Sequence, residues 1–190
     1  MHRRFFLAAA GTSLIAGVAK AQSIQLPAGL DRDNALVIET THGPVVIRLR
    51  PDLAPNHVER LKTLARRGFY NNVPFHRVIE GFMAQTGDGQ RGDGTGGSDL
   101  PNLRAEFTRA ERFTRGSVGM ARTQARDSAN AQFFICYRDA PWLDGQYTLV
   151  GNVVSGMEAV DRLKRGVGDG GVVPAPADRM IRVRVAADIS

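Results

Sequence analysis

Phe75-His76-Arg77-Val78-Ile79-Glu80-Gly81-Phe82-Met83-Ala84-Gln85 contains two short β-rich runs, 75–79 and 82–85, separated by a glycine turn. Runs this short, punctuated this closely, belong to a small antiparallel β fold rather than to a helical one. The same stretch puts one permanently charged guanidinium close in sequence to two large flexible apolar side chains and an amide. Those groups suit a reaction that needs a fixed donor aimed into an apolar pocket, without nucleophile, metal or proton transfer.

The pattern repeats on both sides of this stretch. Residues 36–40 and 45–49 are β-rich and flank His42-Gly43-Pro44, a hairpin signal. Val45, Ile47 and Leu49 share one face of the second run while Arg48 and Arg50 take the other, the period of a half-buried strand. Residues 55–67 predict a helix: Pro55 suits the first turn, Val58, Leu61, Leu64 and Ala65 recur at helical spacing, and Gly68 stops it. Met157, Val160 and Leu163 mark a second, shorter helix ending at Gly166. Further β-runs lie at 117–121, 133–137 and 147–150, and Ile181, Val183 and Val185 alternate with arginines in a last strand. Many short strands and two helices predict a mainly β chain, a small antiparallel barrel or sandwich. No repeat or linker divides it, so one domain is expected at 35–190, preceded by an irregular arm at 22–34.

Composition sets the class. At 190 residues with 43% hydrophobic and 23% charged residues, the chain has the balance of a soluble globular domain with one substantial core. Residues 1–21 are read as a cleavable leader: Arg3 and Arg4 open it, an alanine-rich apolar run follows, and Ala19-Lys20-Ala21 offers the cleavage site. The run is too short to span a membrane, so no anchor is expected after its removal. The paired arginines before Phe5-Phe6-Leu7 resemble a twin-arginine leader; an ordinary secretory leader with a basic start is the alternative. Either implies bacterial export to the periplasm or beyond. Arg3, Arg4 and Lys20 leave with the leader, taking the formal charge from +6 to +3. Much of the basicity is therefore the leader's, and nucleic acid is not an expected partner. Cys136 is the single cysteine, lies in an apolar run, and is read as a small buried hydrophobe rather than a reactive thiol.

Several motifs carry no chemistry. Residues 86–97 hold six glycines, and 87–92 formally matches a dinucleotide fingerprint. Asp93-Gly94-Thr95-Gly96-Gly97, directly after it, cannot start the helix that would hold a pyrophosphate. Asp88, Asp93 and Asp99 lack the closing acidic residue of a calcium loop, and Arg91-Gly92-Asp93 is an adhesion-like tripeptide of very low specificity. A tightly folded surface loop is expected instead. His42, His57 and His76 have no metal-ligand spacing, and no metal or other cofactor is expected. His76, in a strand, is expected to be a packed, hydrogen-bonded side chain. No serine sits in a nucleophile-elbow setting.

Taken with Gln132-Phe133-Phe134-Ile135 and Trp142-Leu143-Asp144-Gly145, the opening stretch resembles the cyclophilins, the peptidyl-prolyl cis/trans isomerases that bind cyclosporin. The likeness covers about residues 35–186. It implies a closed antiparallel eight-stranded barrel capped by two α-helices, isomerase activity without a cofactor, and proline-containing polypeptides as partners. Matching residue by residue, it implies catalytic roles for Arg77, Phe82 and Gln85. It implies substrate contacts from Met83, Gly94, Ala121, Arg122, Thr123, Gln132, Phe134, Trp142, Leu143 and Tyr147. Trp142 matches the tryptophan whose indole donates to cyclosporin, which makes cyclosporin a candidate ligand. Three features depart from the pattern of many eukaryotic members: Arg122 replaces an asparagine, the loop 122–131 is one residue longer, and Tyr147 replaces a histidine. A folding-assisting isomerase acting as a monomer on exported chains is therefore expected; the alternative is a proline-peptide binding module or holdase with incidental activity.

Overall fold

The computed structural model describes residues 24–189, so the expected leader at 1–21 lies outside the described residues. Nine strands form one antiparallel sheet: β1 (Ala35–Thr40), β2 (Gly43–Leu49), β3 (Val73–Pro74), β4 (Arg77–Ile79), β5 (Met83–Thr86), β6 (Ser117–Met120), β7 (Phe133–Cys136), β8 (Leu149–Ser155) and β9 (Arg179–Val185). Their order is β3-β9-β1-β2-β8-β6-β7-β5-β4. Among the described residues two α-helices accompany it, α1 (Pro55–Arg66) and α2 (Met157–Asp161).

The end strands of this sheet are neighbours in the chain, with only Phe75 and His76 between β3 and β4. The sheet must therefore curl round on itself, yet it does not close, which corrects the expected eight-stranded closed barrel. Two strands joined by two residues without a reversal run one after the other and cannot pair side by side. The expected run 75–79 is thus split, and its central residues bond elsewhere: Phe75 N–H donates to Asp178 O at 2.9 Å, and Val173 N–H donates to His76 O at 3.0 Å. The seam is filled by chain from 166–178.

Alternation within the strands sorts residues to two faces. The inner face carries the main core, including Leu36, Ile38, Ile47, Val78, Ala84, Val118, Phe133 and Ile135, against which α1 packs Val58, Leu61 and Leu64. The hairpin of β1 and β2 and the helix α1 stand where the sequence predicts them. The last strand differs in phase. Ile181 is 49% exposed and Met180 fully buried, because the register against β1 jumps from Glu39–Arg182 to Thr40–Met180 and leaves Ile181 as a bulge. The arm before β1 is also more than a loose segment. Ile24, Leu26 and Leu30 pack on Ala35, Val37, Val46 and Ala186, which explains why Val46 is buried on the face opposite Val45 and Ile47. Arg32 ties the arm to the chain end by donating to the carbonyls of Ala186 and Ile189.

At its N-terminus α1 has Ala54, which offers no side-chain cap. The carboxylate of Glu106 takes that role from a distant loop, accepting the N–H groups of Asn56 and His57 at 3.1 Å each and His57 Nδ1 at 2.6 Å. Burial pushes the His57 imidazole below its ordinary value, and the pull of Glu106 does not overcome it.

Candidate active site

The outer face of β4, β5, β7 and β6 holds the site, and strand register builds it. Arg77 pairs with Gln85, Gln85 with Phe134, and Phe134 with Gly119, so these four residues form one cross-strand row on one face. The next row inward, Val78, Ala84, Ile135 and Val118, belongs to the core. Glycine stands opposite Phe134 for a steric reason: a Cβ on Gly119 would lie 2.5 Å from Phe134 Cζ and 2.7 Å from Phe113 Cε1. The Phe134 ring lies in that gap, stacked on Phe113 at 5.9 Å and edge-on to Tyr147 at 5.8 Å.

Around this row lies a recess of about 160 Å³ lined by Arg77, Phe82, Met83, Gln85, Ala121, Arg122, Phe134, Leu143 and Tyr147. Met83, Phe134 and Leu143 belong to an apolar cluster on the outer face with Cys136, whose thiol burial raises to about 12. That cysteine is packing material, as its sequence context predicts. A second, more polar pocket of about 300 Å³ adjoins the recess through Gln85, Ala121 and Arg122, and is lined further by Gly94, Thr123, Gln132 and the side chains of Asn102, Ser128 and Asn130.

Hydrogen bonds link the two. Arg77 Nη1 donates to Gln85 Oε1 at 3.1 Å, Gln85 Nε2 to Gln132 Oε1 at 2.9 Å, and Gln132 Nε2 to the carbonyls of Gly94 and Gly96 at 2.9 and 2.8 Å. Arg77 Nε donates to Gly170 O at 2.9 Å, while Nη2 has no acceptor among the described residues. The two carbonyls at the end of this relay sit in the glycine-rich loop, which is folded around Asp88. Burial alone would raise that carboxyl, but the N–H groups of Arg91, Gly96 and Gly94 hold it down at about 2.

Twelve of the thirteen sequence-predicted residues thus line one pocket or the other. Trp142 does not: it stands at the rim, 55% exposed, its ring 5.5 Å from that of Phe82. Arg122 is held rather than free. Its guanidinium donates to Gln146 O at 3.1 Å and Thr123 O at 2.9 Å, and lies 4.6 Å over the Tyr147 ring. The two departures at 122 and 147 are therefore one stacked wall of the recess. His76 is packed as expected but makes no hydrogen bond from either ring nitrogen among the described residues. Burial dominates its titration and lowers it, against the opposing pull of Asp88 and Asp93. Sequence reading missed Gly119, Asn102, Ser128 and Asn130. Only the strand register and the loop paths, which bring distant segments together, reveal them.

A curled antiparallel sheet bearing an oily recess, with a guanidinium on its wall and a polar groove beyond, defines a peptide-binding site of the prolyl-isomerase kind. The cyclophilin-type peptidyl-prolyl cis-trans isomerase model matches residues 35–185. A probable peptidyl-prolyl cis-trans isomerase of Brucella suis is 50% identical over 177 residues, covering 87% of this chain and 89% of that one. A peptidyl-prolyl cis-trans isomerase of Helicobacter pylori is 41% identical, covering 68% and 79%. Among solved structures, a Cryptosporidium parvum cyclophilin-type isomerase crystallised in the presence of the dipeptide Ala-Pro superposes with a TM-score of 0.73 at 26% identity, covering 80% of this chain and 98% of that one. The cyclophilin AquaCyp293 of Hirschia baltica gives 0.74 at 27% identity, covering 85% and 77%. The chain belongs to the cyclophilin-type peptidyl-prolyl cis-trans isomerases, and its activity is that isomerisation.

Proposed function

We propose that Arg77 accelerates rotation about X-Pro bonds of exported polypeptides by donating to the proline nitrogen as its conjugation breaks. Amide resonance sets a barrier of roughly 18–20 kcal/mol, so unaided rotation takes tens to hundreds of seconds. Millisecond turnover needs roughly 10⁴–10⁵-fold acceleration, about 5.5–7 kcal/mol. In the twisted transition state the proline nitrogen turns pyramidal and gains a lone pair that the planar amide lacks. A donor aimed at that nitrogen binds the transition state more tightly than the ground state, the condition for catalysis.

The cross-strand row of Arg77, Gln85 and Phe134 carries this reading. It sets a planar, always-charged donor in the wall of the same recess as the ring that, with Phe82, Met83 and Leu143, would hold a proline still while the preceding carbonyl swings. Gln85 and the backbone by Arg122 would bind the flanking peptide amides, and the polar pocket beyond them would take residues further from the proline. Trp142, exposed at the rim, is the group that would donate to cyclosporin. The expected leader supports action outside the cytoplasm, on chains that fold after export; a monomer is the state proposed for it.

Arg77→Ala tests the proposal against an Ala-Pro peptide. Turnover should fall roughly 10²-fold or more while the melting temperature holds, since a preorganised donor is commonly worth that much. Activity within a few-fold of wild type would remove Arg77 from the role.

A further inference from the structure

The segment 166–173 forms a hairpin outside the nine-stranded sheet, with Val167 and Val172 bridged and a turn bond from Gly171 N–H to Gly168 O at 3.1 Å. It lies along the edge of β4 that β5 leaves free. Val78 N–H donates to Gly171 O at 2.8 Å, Gly166 N–H to Val78 O at 2.9 Å, and Val173 N–H to His76 O at 3.0 Å, so the backbone on both sides of Arg77 is bonded to it. Close approach depends on two glycines. A Cβ on Gly171, at φ +66°, would lie 2.4 Å from Ile79 Cγ1, and one on Gly166 would lie 1.9 Å from Gly171 O. The hairpin tip then offers the Gly170 carbonyl to Arg77 Nε at 2.9 Å.

We propose that this hairpin is a positioning element of the isomerase, its Gly170 carbonyl fixing the plane in which the Arg77 guanidinium meets the proline nitrogen. The inference rests on the reading of Arg77 as the catalytic donor. A guanidinium held only by Nη1 on Gln85 could pivot about that bond. A second anchor at Nε removes the pivot and leaves Nη2 to donate. The proline nitrogen gains its lone pair only in the transition state, so misaiming the donor weakens turnover and leaves ground-state peptide binding alone.

The test begins with the wild-type protein, by NMR of the Arg77 Nε–H. Slow exchange with water and a scalar coupling across the hydrogen bond to the Gly170 carbonyl carbon are expected; fast exchange without coupling overturns the inference. Gly171→Ala then displaces the tip. It should lower kcat on an Ala-Pro peptide roughly 10- to 100-fold, the scale on which small misplacements act, while the Kd for that peptide changes less than about twofold. Asp169→Asn, an exposed change at the tip that spares the backbone, should leave kcat alone. A loss there would assign the effect to a carboxylate and overturn the carbonyl's role, as would a Gly171→Ala enzyme that loses affinity and turnover equally, or one that keeps full turnover with the coupling gone. Should Gly171→Ala fail to fold, the wild-type coupling decides. An active Arg77→Ala enzyme would instead sink the reading beneath, and the two failures are told apart.

Discussion

Phe134 shows how one side chain serves both stability and recognition. Its ring is buried, rests over Gly119, stacks on Phe113 and meets Tyr147 edge-on, so its position is decided before any peptide arrives. Phe134→Ala should therefore weaken binding of a proline peptide by roughly 1.5–3 kcal/mol, the worth of a buried aromatic contact. Calorimetric titration would show this as a Kd rise of about tenfold or more; an unchanged Kd would remove the ring from the proline pocket. The residue types were readable as candidates because Arg77, Phe134 and Gln85 sit in motifs that resemble a family pattern. Gly119 was not, since the lack of a side chain signals nothing until the ring opposite is known.

Among the elements, α1 illustrates help from afar. Its apolar spacing and Pro55 announce the helix, but Ala54 cannot cap it and Glu106 does, from 50 residues beyond Asn56 in the chain. Glu106→Ala should cost at least about 1–2 kcal/mol, the ordinary worth of a lost cap, with a further loss from the buried His57 Nδ1 left without its acceptor, read as a shift of the urea midpoint. A midpoint unchanged from wild type would mean that solvent caps the helix equally well. The same change should leave kcat on an Ala-Pro peptide nearly untouched, because Glu106 is outside both pockets. β9 makes a related point about strands. Alternation of Ile181, Val183 and Val185 reads as one buried face, yet a single bulge reverses the phase and exposes Ile181, a choice made by pairing with β1.

Across the folded chain, pH reveals how buried groups are linked to folding. His57 and His76 both titrate below the ordinary 6.5, chiefly because burial disfavours their charged forms. The unfolded chain thus binds these protons first, so stability is complete above about pH 6.5 and falls as pH drops below it. Each histidine contributes at most about 1.4 kcal/mol per pH unit. A further loss should follow on approach to the ordinary carboxylate range, where Asp88, held at about 2 by its backbone donors, takes up protons on unfolding. Melting temperatures measured from about pH 7 down to pH 3 should decline in these two stages. A flat profile between about pH 7 and pH 5 would contradict the burial assigned to the histidines.

Local chemistry was enough to make the chain mainly β with two helices, to form a hairpin from residues 36–49, and to stand Arg77 among apolar side chains. These follow from periodicity, glycine and proline placement, and a motif that resembles a known family, all of which are written within a few residues of one another. Long-range packing settled the rest: the sheet stays open at the β3–β4 seam, Glu106 caps α1, Gly119 makes room for a ring, and Gly170 faces Arg77 Nε. Each of those is a meeting of segments distant in the chain. Which partner a backbone carbonyl or an empty Cβ position finds depends on register and curl, and no local pattern carries that information.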